Sequence, residues 1–94
     1  MMFSTVQPIA PKVRRLAHVE ACRVFDRAVR APQIGTVILD MRNVEEATTS
    51  AFARLILLRR ELLRRGRDLR LMGLRGNAAK LYEISRLETV LPRY

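Results

Sequence analysis

The sequence predicts an α/β fold in which helices pack on a small mixed β-sheet. The run Ile-Gly-Thr-Val-Ile-Leu at 34–39 is β-branched, apolar and short, as expected for a buried strand. Apolar residues then recur at helical spacing from Phe52 to Leu62, and Asp68–Met72 alternates between apolar and polar residues. Strand, helix and strand in this order predict a parallel pair of strands joined across a packed helix.

The size and composition are those of a single folded unit. A chain of 94 residues, 49% hydrophobic and 29% charged, has room for one core, so we expect one domain over 1–94. Residues 1–16 are expected to be irregular or to form an edge strand, because Pro8 and Pro11 cannot donate to a sheet. Short strands fit only around Phe3–Val6 and Lys12–Leu16.

A first amphipathic helix is predicted over His18–Ala31, before Pro32. Its apolar residues at helical spacing are predicted to face the core; these are Cys22, Phe25 and Val29. The stretch 40–47 is polar and is predicted to be a loop.

The longest helix is predicted to begin after three hydroxyl residues, Thr48, Thr49 and Ser50, and to run to Arg65 before Gly66. Its inward stripe comprises Phe52, Leu55, Leu58 and Leu62. Leu57 and Leu63 lie off that stripe, which leaves two interpretations open: a homodimer or partner contact, or a helix that is buried all round.

The C-terminal part is predicted to hold one more helix and a last strand. Asn77 is the predicted N-cap, and Glu88–Leu91 is the predicted strand. The residues of this helix that are predicted to face inward are Leu81, Ile84 and Leu87.

The residue types argue against catalysis and cofactor binding. One cysteine and one histidine cannot make a disulfide, a zinc pattern or a nucleophile–base–orienter set, and no phosphate-binding glycine motif occurs. We therefore expect no catalytic residue, no metal and no cofactor. A single cysteine cannot form a disulfide within the chain, which fits a reducing compartment, so we expect a cytoplasmic protein. No apolar run approaches the roughly 18 residues needed to cross a bilayer, so we expect no membrane span.

The net charge of +9 favours acidic partners. The cations are almost all arginine and are spread from Arg14 to Arg93, a distribution that favours an ordinary solvated surface. Aromatic residues that could stack on bases are missing among Arg59, Arg60 and their neighbours, which argues against nucleic acid.

Four stretches occur in a characteristic order. Val37–Val44 is an apolar strand that ends in an aspartate and a loop, and Ala47–Leu55 carries hydroxyls that open a helix. Arg64–Met72 closes that helix and starts a strand, and Leu81–Pro92 ends the chain. In this order the stretches resemble the STAS domain family, which includes the anti-sigma factor antagonists. The resemblance implies a non-enzymatic, protein-binding regulatory domain.

The resemblance also assigns roles at the family's Asp-Ser-Ser-Gly-Leu signature. Thr48 replaces the aspartate, Thr49 stands at the phosphoacceptor serine, Ser50 at the second serine and Ala51 at the glycine. Thr49 is therefore the first candidate phosphoacceptor, Ser50 the second, and Thr48 mainly a cap. The front of the chain is shorter than is usual in the family, and the Gly-x-Leu/Val-Asp turn has no counterpart.

The candidate partner-binding residues lie in the loop and at the helix start: Asp40, Arg42, Asn43, Thr48, Thr49 and Ser50. Each has a plainer interpretation, with Asp40 a turn residue and the hydroxyls a helix cap. Phosphate at a helix N-terminus is electrostatically favoured, although Glu45 and Glu46 would oppose it.

Three functions remain open. The resemblance favours an anti-sigma factor antagonist, whose partner is an anti-sigma factor that is also a serine/threonine kinase. The loss of the signature aspartate favours a non-switching accessory subunit that binds the transporter ATPase of a lipid-transport complex. The charge allows a basic nucleic-acid-binding protein.

Overall fold

Seven elements make up the fold in the computed structural model, which describes residues 8–31 and 35–94. In chain order they are β1 (Arg15–Leu16), α1 (His18–Arg30), β2 (Thr36–Asp40), β3 (Glu46–Ala47), α2 (Thr49–Arg64), β4 (Asp68–Met72) and α3 (Gly76–Ile84). The α/β class predicted from the sequence is confirmed. All strand pairings in the described ranges are parallel.

β2 and β4 form the central pair. They run parallel in register from Thr36 opposite Asp68 to Asp40 opposite Met72. A single bridge adds Ile9 beside Leu39, and another adds Arg93 beside Leu71, so the sheet is extended by one residue pair on each side. The predicted strand Asp68–Met72 is confirmed, and β2 begins two residues later than the predicted 34–39, at Thr36.

Only one of the two predicted N-terminal strands falls within the described residues. Phe3–Val6 lies outside the described residues, and of Lys12–Leu16 only Arg15–Leu16 is a strand. It pairs in parallel with β3, Arg15 opposite Glu46 and Leu16 opposite Ala47. The stretch 40–47 is thus more ordered than a polar loop, and its two large apolar residues, Met41 and Val44, are buried.

The sheet turns one set of alternating side chains toward the helices. The central pair contributes four of them to the core, Val37, Leu39, Leu69 and Leu71. Partial burial alone would raise the pKa of Asp68 at the start of β4, but hydrogen bonds from Arg59 and from the Leu69 N–H give a net lowering. The Arg59 Nε lies 2.8 Å from Asp68 Oδ1, which ties α2 to β4.

α1 packs mainly against α2, but its inward stripe was predicted one position off. The buried residues are Ala21, Val24 and Ala28, whereas Phe25 and Val29 only flank the core and Cys22 is half-buried. The small alanines let α1 and α2 pack close together. A pattern based on hydrophobicity favours the face with the larger apolar residues, so it does not reveal that the alanine face is the buried one.

α2 follows the predicted pattern. Its inward residues Phe52, Leu55, Leu58 and Leu62 are buried, and the helix ends at Arg64, one residue early. Leu57 and Leu63 are 45% and 47% exposed, so the interpretation of a helix buried all round is wrong.

The C-terminal predictions need correction. The N-cap of α3 is Arg75 and not Asn77, Ile84 is exposed, and Leu81 is only partly buried; the inward residues are Ala78 and Tyr82. Leu87 is buried as predicted. Glu88–Leu91 forms turns and not a strand, because the Val90 and Leu91 N–H groups both donate to the Leu87 carbonyl, at 3.1 and 2.7 Å. The Tyr82 hydroxyl also donates to the Leu91 carbonyl, at 2.6 Å.

Leu55 is fully buried, so truncating it should leave a cavity between α2 and the sheet. We expect Leu55→Ala to lower the free energy of unfolding by about 2–5 kcal/mol. Leu57→Ala, on the exposed side of the same helix, should change it by about 0.5 kcal/mol or less. Urea denaturation followed by circular dichroism measures both; equal losses would mean that the helix register is wrong.

Candidate functional site

The candidate residues meet where β2 ends and α2 begins. We call the loop 40–47 together with residues 48–50 the loop–helix surface. In parallel α/β sheets, loops that follow the carboxyl ends of strands are the usual place for binding residues. Here the crossover from β2 to α2 starts with Asp40 and ends with the hydroxyl residues, so both groups lie at one edge of the sheet.

Asp40 is held by Arg42. The carboxylate is almost fully buried and accepts from the Arg42 backbone N–H at 3.0 Å and from its Nη2 at 2.7 Å, with Nε within 3.1 Å of both oxygens. The guanidinium itself is 71% exposed. Hydrogen bonding from Arg42 lowers the pKa of Asp40 more than burial raises it. Asp40 is therefore an ionised anchor that fixes the direction of the exposed Arg42 guanidinium.

Gly73 makes room for this arrangement. It follows β4 with a φ of +73°, and a Cβ placed on it would lie 2.3 Å from the Arg42 Cγ. Any side chain at 73 would push Arg42 off Asp40 and strain the backbone. Gly73 thus shapes the loop–helix surface.

Glu45 is the second anchor of the loop. Its carboxylate lies 3.1 Å from the Arg14 Nη2 and 3.1 Å from the Arg75 Nη2. Its carbonyl accepts from the Ala78 N–H at 3.1 Å, and a Cβ on Gly76 would come within 2.9 Å of that same oxygen. The loop is thereby connected to the segment before β1 and to the start of α3.

The three hydroxyl residues have different environments. The Thr48 Oγ1 accepts from the Ala51 N–H at 3.1 Å and lies 3.2 Å from the Ser50 Oγ, so Thr48 is the N-cap, as predicted. Thr49 and Ser50 are exposed in the first turn of α2. Among the described residues the Thr49 hydroxyl has no hydrogen-bond partner.

The structure brings the six predicted residues to one region but gives them unequal roles. Asp40 is buried, Thr48 is half-buried, and Arg42, Asn43, Thr49 and Ser50 are exposed. The sequence analysis missed Arg14, Gly73 and Arg75 as supports and treated Glu45 only as a charge opposing phosphate. No local pattern could have revealed the ion pairs, since Arg14 and Arg75 are 31 and 30 residues away from Glu45.

Other groups with chemical potential are sparse in the part of the chain that the structure describes. The Cys22 Sγ lies 3.5 Å from the His18 Nε2 on α1. Across residues 8–31 and 35–94, no three His, Cys, Asp or Glu side chains are grouped to hold a metal ion. None of the described helices has the length and apolarity needed to cross a membrane.

Comparison with protein families agrees with the geometry. The model of the STAS domain matches residues 2–94. The chain belongs to the STAS domain family. STAS domains are regulatory or protein-interaction domains and are generally non-enzymatic, so protein partners are the relevant class of ligand. Searches of curated proteins and of solved structures found no significant match.

The salt link in this STAS domain predicts a pH response. Because the pKa of Asp40 lies below the usual 3.8, the stability that the link contributes is present at neutral pH. It is lost as the pH falls through that lowered value. We expect Arg42→Ala to raise the pKa of Asp40 and to move acid unfolding to higher pH, whereas Asn43→Ala leaves both unchanged. Carbon-detected NMR titration of the carboxyl group measures the pKa; an unchanged value would contradict the link.

A cap residue and an exposed hydroxyl residue should respond differently to alanine. Thr48→Ala removes the acceptor of the Ala51 N–H and should lower the free energy of unfolding by about 1 kcal/mol. Thr49→Ala removes an exposed hydroxyl and should change it by about 0.5 kcal/mol or less. Parallel urea titrations measure both changes. A larger loss of unfolding free energy for Thr49→Ala than for Thr48→Ala would mean that Thr48 is not the N-cap.

Proposed function

We propose that this STAS domain is a protein-binding regulator of the anti-sigma factor antagonist type, with the loop–helix surface as its partner site and Thr49 as its phosphoacceptor. One observation carries the proposal. At the place of the family signature, Thr48 takes the capping role, which leaves the Thr49 hydroxyl exposed in the first turn of a 16-residue helix. A kinase can reach that oxygen without unfolding the helix.

The electrostatics of the surface support a phosphate at Thr49. The first turn of α2 contains no acidic residue, and a helix N-terminus carries unpaired N–H groups and partial positive charge. Glu45 and Glu46, which argued against the phosphate from the sequence, are each offset by arginine. Glu45 contacts Arg14 and Arg75, and Glu46 lies 3.8 Å from Arg15.

The proposed switch works by changing what the partner contacts. In the unmodified state the exposed Arg42, Asn43, Thr49 and Ser50 offer donors and acceptors to the anti-sigma factor, which then releases its sigma factor. A phosphate adds about −1.5 to −2 charges to this patch. A partner surface shaped for a neutral hydroxyl would then have to desolvate a dianion, and binding would weaken.

A non-switching accessory subunit of a lipid-transport ATPase complex is the second candidate. The observation that favours it is the use of Thr48 as an uncharged cap where the signature has aspartate. The nucleic-acid alternative is weaker. Within the described ranges nine of the 18 cationic side chains form ion pairs with carboxylates of this chain, so half of them are engaged in the fold and not free to track phosphates.

The decisive test is phosphorylation by a serine/threonine-kinase anti-sigma factor of the source organism. Mass spectrometry after incubation with ATP should place one phosphate on Thr49, and Thr49→Ala should abolish it. Thr49→Ser, with a smaller hydroxyl at the same place, should retain it. The phosphorylated protein should bind the kinase at least about tenfold more weakly than the unmodified one, a change of about 1.4 kcal/mol.

The controls separate the two candidate functions. Label that persists in Thr49→Ala would move the site to another residue. An unlabelled protein that still binds a transporter ATPase subunit through the loop–helix surface would replace the switch with the accessory-subunit role. A loss of that binding in the double variant Asn43→Ala, Ser50→Ala would identify the surface.

A further inference from the structure

A groove lies between residues 9–13, which precede β1 in the sequence, and the middle of α1. Its volume is about 400 Å³, and its floor is apolar, formed by Ile9, Ala10, Pro11, Val13 and Val24. Ligand sites of about 300–1,000 Å³ with such linings are common in proteins. None of its lining residues belongs to the loop–helix surface.

The rim of the groove is cationic. Lys12, Arg23 and Arg27 line it, and Arg30 continues the series in the adjoining depression on α1. Across residues 8–31 and 35–94 no carboxylate lies within ion-pair distance of these four side chains. The remaining residues, 1–7 and 32–34, contain no aspartate or glutamate that could neutralise them.

The two carboxylates of this region do not cancel the four cations. Glu20 lines the groove, but its Oε1 accepts a hydrogen bond from the Ala17 N–H, at 3.1 Å, at the start of α1. Asp26 lies in the adjoining depression among Arg23, Arg27 and Arg30. The region therefore keeps an excess of positive charge beside an apolar surface, whereas nine arginines elsewhere, such as Arg59, are paired with carboxylates.

We propose that this groove is a second protein-docking surface, whose occupant is an acidic amphipathic segment of a partner protein. The apolar floor takes aliphatic side chains, and the rim takes the carboxylates on either side of them. Nucleic acid fits less well, since the lining has no aromatic residue for stacking and a phosphate backbone has no use for an apolar floor. The surface is independent of the proposed function, because its residues and those of the loop–helix surface are different.

A synthetic peptide tests the groove directly. The probe is a short fluorescent amphipathic peptide with leucines on one face and glutamates on the other. Its two control versions carry glutamine in place of glutamate, or serine in place of leucine. We expect the parent peptide to bind the full chain, and both controls to bind at least about tenfold more weakly. Amide NMR shifts on binding should centre on 9–13 and 20–27.

Two charge-reversal variants separate a local site from general attraction. Arg23→Glu with Arg27→Glu should weaken peptide binding at least about tenfold. Arg60→Glu with Lys80→Glu makes the same change in net charge at exposed positions outside the groove and should leave binding within about twofold. Circular dichroism confirms that both pairs fold.

Three outcomes would overturn the proposal. Equal weakening by both variant pairs would mean attraction to net charge and not to the groove. If the glutamine peptide bound as tightly as the parent peptide, the cationic rim would have no part in binding. Displacement of the peptide by a DNA duplex of the same molar concentration, with the same dependence on Arg23 and Arg27, would make nucleic acid the occupant. None of these results bears on Thr49 or on the loop–helix surface.

Discussion

The parallel pairing of β2 with β4 is the constraint on which the rest of the structure depends. β2 is buried from Val37 to Asp40, so its backbone groups must find partners within the chain. Two parallel strands cannot be joined by a tight turn, and the connection has to return along the sheet. α2 makes that return, which places the end of β2 and the start of α2 at the same edge of the sheet. The loop–helix surface follows directly from this connection.

The anchors of the loop turn this location into a defined surface. Asp40 is buried and holds Arg42, and Glu45 joins the arginines at 14 and 75. Individually, exposed ion pairs of this kind contribute little to stability, with a median of about 0–1 kcal/mol. Their importance here is geometric, because they fix a short loop between elements that the sheet already positions. The exposed hydroxyls can then differ in role while the frame around them stays the same.

The arginines of this STAS domain fall into two groups. Some join segments that are far apart in sequence, as Arg59 joins α2 to the start of β4 at Asp68. Others have no carboxylate within ion-pair distance in the described ranges, and two of these, Arg23 and Arg27, lie beside an apolar groove. The same residue type therefore serves the fold in one place and a surface in another. Net charge alone could not distinguish these uses.

Local patterns in the sequence were sufficient for the elements that pack in the ordinary way. β4, the inward stripe of α2 and the Thr48 cap were predicted correctly, because a buried strand, a wide leucine stripe and a hydroxyl cap each leave a regular signature. The STAS resemblance was likewise carried by short stretches in a fixed order, and the family match over 2–94 confirms it. These features depend on neighbours within about one helical turn or one strand.

Only the tertiary structure decided the features that depend on distant residues. α1 turns alanines inward because it packs closely against α2, α3 begins at Gly76 where the Glu45 backbone leaves no room for a Cβ, and Ile84 is exposed although its spacing suits a core. The C-terminal segment turns back on the Leu87 carbonyl, is held by the Tyr82 hydroxyl at Leu91, and ends in the bridge between Arg93 and Leu71. The site behaves in the same way: the sequence alone determined which residues stand at the signature. The Asp40–Arg42 link and the Thr48 cap are contacts within three residues of chain. The supports that hold the loop are not local, because they join Glu45 to Arg14 and Arg75, 31 and 30 residues away, and no local pattern encodes such contacts.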